Sequence, residues 1–164
     1  VEPAQTLFAL SEKFNDTISK PYDCVVVQEQ TETYLYDYDT FLAGAKSVID
    51  KARNGNSNIV SYVRQTWGLD NSDRAELDTA YSSAQKVASE TGSNIIADGK
   101  AFESCASKYS NIPLFADDRH PTSEGAYLSA ATIFKALYGE STIGINYSDD
   151  ISMETAKKLQ QIVG

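Results

Sequence analysis

Apolar residues recur along this chain with two alternating periods, one helical and one extended. From Pro3 to Lys20, Leu7, Leu10, Phe14 and Ile18 return at helical spacing, Phe8 widens the stripe, and Pro21 ends it, which predicts an amphipathic helix. Cys24-Val25-Val26-Val27 is then a short continuous β-branched run, predicting a strand buried on both faces that ends in the polar Gln28-Glu29-Gln30. Residues 31 to 39, rich in Tyr and Asp, read as a loop. Phe41, Leu42, Ala45, Val48, Ile49 and Ala52 mark a second helix, stopped at Asn54-Gly55-Asn56 by residues tolerant of positive φ.

A second strand is predicted at Ile59–Val63, running into Arg64-Gln65-Thr66-Trp67-Gly68. Ser72 or Asp73 caps a third helix, with Glu76 completing a capping box for Asp73, a stripe from Leu77 to Ala88, and Gly92 as its end. Asn94–Ala97 is a third strand, leading through Asp98-Gly99 into a short helix around Phe102. A helix from Ser123 to Tyr138, terminated by Gly139, and a last one from Ser152 to Val163 complete the order.

Helices alternating with short buried strands, without tight hairpins, predict an α/β fold with a parallel sheet covered by right-handed crossovers. Ligand sites in such sheets lie beyond the carboxyl ends of the strands, where Gln28, Gln30, Gln65, Trp67 and Asp98 fall. One domain is expected, since 164 residues at 41% hydrophobic composition supply a single core, with no linker, repeat or low-complexity tract.

Charge narrows the partners. An excess of 23 acidic over 14 basic residues gives −9 at pH 7, which repels phosphate backbones and anionic membranes and favours neutral or cationic ligands. No apolar run reaches the roughly 20 residues needed to span a bilayer, and Val1 opens no basic, apolar signal segment, so a mature or trimmed start is expected. The two cysteines, Cys24 and Cys105, fall in a strand and a helix and are expected to be buried free thiols. The sequons at Asn15 and Asn146 are too common a pattern to fix the compartment, which stays open with a slight lean to the extracytoplasmic side.

The chemistry concentrates in Asp117-Asp118-Arg119-His120-Pro121-Thr122, which holds the only histidine. An imidazole exchanges protons near neutrality if a partner fixes its tautomer, and a carboxylate three residues earlier can accept the Nδ1 proton, leaving Nε2 to deprotonate a hydroxyl. Pro121 restricts His120 to extended backbone just before the helix. A solvated capping loop is the plainer reading of the same residues. One histidine without paired cysteines makes a poor transition-metal site, and neither a metal nor a cofactor is expected.

The longer stretch from Leu114 to Leu128, with D-D-R-H-P-T-S-E-G-A-Y-L at its end, followed by Leu137-Tyr138-Gly139, resembles the last block of the SGNH/GDSL hydrolase superfamily, D-x-x-H-P-[ST]-x-x-G-x-x-L. Tyr22 through Gln30, Gln65-Thr66-Trp67-Gly68, and the tail from Gly144 to Tyr147 and Ile151 to Gln160 are similar to carbohydrate-esterase-like members of that family. The resemblance implies a flavodoxin-like three-layer α/β/α fold and a serine esterase, deacylating and specifically deacetylating a carbohydrate, with Asp117 and His120 as its dyad. It also implies a side-chain oxyanion donor, for which Gln28 is the first choice and Gln30 the second, because Gln28-Glu29-Gln30 resembles the Q-G-E variant of related acetylesterases. Trp67, the only tryptophan, follows the second strand and can form the wall of a pocket for a sugar ring or acyl chain or belong to the core. Tyr34, Tyr36 and Tyr38 can line a carbohydrate cleft or form an ordinary amphipathic edge.

The family's nucleophile block, a Gly-Asp-Ser or Gly-Asn-Ser turn after its first strand, has no counterpart in this chain. Gly55-Asn56-Ser57 precedes a strand and so falls at the wrong edge of the sheet, and Ser123 reads as a helix amino-terminal residue. The second-block glycine has no match, and three strands replace the five expected. The expectation is therefore a carboxyl-terminal part of a larger hydrolase, whose amino-terminal segment, as a separate chain or otherwise, supplies the serine. The competing expectation is a non-catalytic carbohydrate-binding or interaction module on the same scaffold.

Overall fold

The computed structural model describes residues 12–30, 37–68 and 74–164. Its elements, in order, are α1 (Glu12–Ile18), β1 (Cys24–Gln28), α2 (Tyr38–Gly55), β2 (Val60–Gln65), α3 (Arg74–Thr91), β3 (Asn94–Ala97), α4 (Asp98–Lys108), α5 (Ser123–Tyr138) and α6 (Met153–Val163). The class is α/β, with a three-stranded parallel sheet in the order β1-β2-β3. β1 and β2 run in register, Cys24 opposite Val60 and Gln28 opposite Arg64. No helix among the described residues is long and apolar enough to cross a membrane.

The chain forms two compact units, one of Val1–Thr66 with Asp78–Ile95, the other of Trp67–Leu77 with Ile96–Gly164. In the first, Val27 and Val63 on one face of the strands pack with Phe41, Ala45 and Ile49 of α2 and Ala84 and Val87 of α3. The period of two sends Cys24, Val26 and Gln28 to the opposite face. There Val26 is 40% and Val60 44% exposed, so β1 is not buried on both faces as its β-branched run predicts. β1 stands at the end of the strand order, and its helices cover the Val25–Val27 face. Cys24 is exposed for the same reason, contrary to expectation, while Cys105 is buried; both thiols are free.

Helix α2 begins at Tyr38, inside the stretch expected to be loop, because the Asp37 carboxylate accepts the Thr40 N–H at 3.1 Å and caps the first turn. At its other end Asn56 is extended (φ −149°). Gly55 is required there not for positive φ but for a close approach: a Cβ would lie 2.8 Å from the Ser19 carbonyl oxygen. The predicted start of the first helix at Pro3, the caps Ser72 and Asp73, and Tyr34 and Tyr36 lie outside the described residues.

The second unit is held by α4, α5 and α6 around Phe102, Cys105, Leu114, Leu128, Ala156 and Leu159. Thr122 caps α5 by accepting the Gly125 N–H, and Gly139 ends it. Ser152 caps α6 by accepting the Thr155 N–H. Buried Gln160 organises the segment before α6: its amide nitrogen donates to the Tyr127 hydroxyl and the Ile145 carbonyl, and its Oε1 accepts the Gly144 N–H. The Tyr127 hydroxyl donates in turn to the Tyr147 carbonyl, and Lys135 to the Gly164 carbonyl, so the tail is tied back onto α5 at several points.

Candidate functional site

The loop between α4 and α5 is closed before it reaches its chemistry. Phe115 and Pro121 form an antiparallel bridge, Ala116 N–H donates to the His120 carbonyl at 2.8 Å, and Thr122 N–H donates to the Leu114 carbonyl at 3.0 Å. The Thr122 hydroxyl also donates to the Pro113 carbonyl at 2.7 Å. Residues 116 to 120 are left as a tight excursion whose two ends are fixed to each other.

Asp117 fills the inside of that excursion. Its Oδ1 accepts the backbone N–H of Arg119 at 2.8 Å and of His120 at 2.6 Å, and its Oδ2 lies 2.8 Å from His120 Nδ1. These bonds, led by the His120 backbone N–H, then the imidazole and the Arg119 N–H, draw the carboxyl down to about 2. Above that pH an ionised carboxylate only accepts, so Nδ1 carries the proton in the bond. The tautomer follows: in the neutral ring Nε2 is the acceptor. Among the described residues Nε2 meets no hydrogen-bond partner, and the His120 side chain is 72% exposed against 52% for Asp117.

Two aromatic residues brace the loop from the same unit. The Trp67 indole N–H donates to the Arg119 carbonyl at 3.0 Å. Trp67 stacks on Phe102 at 4.7 Å between centroids, and Phe102 meets Phe115 edge-on at 5.6 Å. Gly125, in the first turn of α5, closes the arrangement: a Cβ there would stand 2.4 Å from the Leu114 carbonyl oxygen and 2.9 Å from Pro121 Cβ. Phe102, Phe115 and Gly125 were beyond reach of a residue-by-residue reading. Gly125 alone carried a signal, its place in the motif.

The remaining candidates belong to other elements. Gln28 is exposed at the end of β1, where its side-chain oxygen accepts from Arg64, its neighbour across the β1–β2 pair. That bond orients the carboxamide and turns its nitrogen into the group available for donation. Gln30 is exposed, its backbone N–H bound by Glu29 Oε1 at 2.8 Å. Between them Glu29 is buried, and burial pushes its carboxyl up, against the lowering effect of the Gln30 N–H. Gln65 is buried at the end of β2. Asp98, the first residue of α4, is fully buried and accepts the Ser129 hydroxyl at 2.8 Å. Tyr38, the first residue of α2, donates its hydroxyl to Glu90 Oε1 at 2.6 Å, and the phenol is pushed up to about 12. Gly55-Asn56-Ser57 precedes β2, as expected, and Ser123 is the first residue of α5.

No protein-family model and no curated protein sequence matches this chain. Its fold is similar to the solved structure of a DUF4886 family protein from Bacteroides uniformis, with a TM-score of 0.79 at 20% identity. The likeness covers 91% of this chain and 64% of that one, so this chain spans under two thirds of the other's length. At that identity the likeness is one of fold, and it fits an α/β/α arrangement.

Proposed function

We propose that this chain carries the acid–base half of an SGNH-type serine esterase that deacylates, and specifically deacetylates, carbohydrate. The observation that carries the reading is the Asp117–His120 pair, in which a carboxylate held by two backbone N–H groups fixes the imidazole through Nδ1 and leaves Nε2 as a base. Nε2 takes the hydroxyl proton of a serine supplied from outside these 164 residues as its Oγ attacks the acyl carbon. The resulting imidazolium, stabilised by Asp117, returns that proton to the departing sugar oxygen. Water, deprotonated by the same Nε2, then attacks the acyl-enzyme and releases acetate and the serine. The sequence resemblance names Gln28, with Gln30 as second choice, for the oxyanion donor; one such donor is worth about 3 kcal/mol in a dry site.

The test is acetate release from acetylated sugars by the whole protein, together with labelling by a fluorophosphonate. Turnover that disappears in His120→Ala supports the dyad, and unchanged turnover refutes it. The second reading is a carbohydrate-binding or interaction module without a nucleophile. Absence of labelling with retained sugar binding would establish that reading instead.

A further inference from the structure

We propose that Trp67 is a positioning residue for His120, acting through the peptide plane between Arg119 and His120. For its activity arm this inference rests on the esterase reading; its structural arm does not. That single peptide is held from both sides. Its N–H donates to Asp117 Oδ1 at 2.6 Å, and its carbonyl accepts the Trp67 indole N–H at 3.0 Å. A peptide plane is rigid, so fixing both groups fixes its rotation and the position of the His120 Cα; the remaining rotation about N–Cα is held by the His120 carbonyl, which accepts the Ala116 N–H at 2.8 Å, and together these aim the Cα–Cβ bond. Accepting a bond at the carbonyl also polarises the amide, strengthening the N–H bond to Asp117 on its other side.

The need for such a brace follows from exposure. His120 is 72% exposed and sits on a loop, where an imidazole has no packed walls to choose its orientation. Productive geometry tolerates about 0.5 Å of error, so the backbone beneath the ring must supply the order. Trp67 is suited to do so because it joins one N–H donor to a large apolar ring. Its ring is anchored by the stack on buried Phe102, which in turn meets Phe115 at the point where the loop closes. The donor that holds the loop and the ring that closes it thus share one aromatic cluster. The wall expected from the sequence has one face already taken by Phe102.

The decisive variant replaces Trp67 by benzothienylalanine, in which sulfur stands for the indole N–H while shape and stacking are kept; Trp67→Phe is the genetic counterpart. In the whole protein, nitrogen-15 NMR of His120 reports its tautomer and the protection of its backbone amide. Loss of the donor should speed exchange of the His120 amide about tenfold, the worth of one neutral hydrogen bond, and mix the imidazole tautomers. On acetylated sugar, kcat should fall by about the same factor with KM unchanged. An unaltered amide and tautomer overturn the proposal, whether or not KM rises; a rise in KM alone would make Trp67 a binding wall. If the wild-type protein releases no acetate, the esterase reading fails, and the NMR result still decides the positioning role.

Discussion

Replacing Gly125 with alanine puts a methyl group where the backbone of the dyad loop already stands. The new Cβ would lie 2.4 Å from the Leu114 carbonyl oxygen, and ordinary contact begins at 3.4 Å, so the loop and the first turn of α5 must part by about 1 Å. Neither side yields cheaply. The Leu114 carbonyl accepts the Thr122 N–H at 3.0 Å, and Pro121 Cβ, at 2.9 Å from the same methyl, belongs to the residue that follows His120. Overpacking of this kind costs about 1–3 kcal/mol, and a collision with main chain belongs at the upper end. Alanine in place of glycine recovers up to about 1 kcal/mol of helix propensity. The expected net loss is about 2 kcal/mol, a fall in Tm of about 4–8 °C for a domain of this size. Urea denaturation measures the loss, and exchange of the His120 amide locates it. Ser152→Ala is the control, because removing the cap of α6 costs about 1 kcal/mol in the same unit without touching the loop. Gly125→Ala should expose the His120 amide and Ser152→Ala should not. A Gly125→Ala protein as stable as the wild type would refute the close-approach argument.

Other consequences can be measured alongside. The Asp117 carboxyl is drawn from an ordinary 3.8 to about 2, so its stabilising effect is complete above about pH 4 and is lost as pH falls through about 2; stability curves of wild type and Asp117→Asn should differ in shape across that window. The same Asp117→Asn variant should lower acetate release by about three orders of magnitude or more, because an amide donor at Nδ1 selects the opposite imidazole tautomer. Thr122→Ala removes the α5 cap and the bond to the Pro113 carbonyl and should cost about 1 kcal/mol in urea denaturation, with Thr122→Ser recovering most of it. A thiol reagent should modify Cys24 in the native protein and reach Cys105, which is buried and whose thiol burial pushes up, only after denaturation.

The elements were legible where local chemistry decides them. Ser123–Tyr138 forms a helix with the bounds its sequence predicts, because Thr122 supplies the capping hydroxyl and Gly139 the stop. Asp37 supplies the same kind of cap to α2 and was hidden by its Tyr- and Asp-rich neighbours, which resemble a loop in composition. The burial of β1 was not legible. Val25, Val26 and Val27 suit a strand covered on either one face or two, and the choice depends on what packs against each face of the sheet. Exposure of Cys24 and Val26 follows from that neighbourhood and from nothing in the run itself.

The candidate site divides along the same line. Asp117 and His120 are three residues apart in a loop too short to separate them, so a carboxylate that accepts the backbone N–H groups following it meets the imidazole almost automatically. That contact is local, and sequence spacing carries it. The order of the loop is imported from afar: Trp67 reaches Arg119 across 52 residues, and Phe102 joins them from helix α4. No spacing rule connects those positions, and Trp67 offered its aromatic surface to a pocket reading just as readily. A dyad can therefore be read from one motif while its rigidity cannot. The variants that separate the two are those that leave Asp117 and His120 in place and loosen the peptide between them.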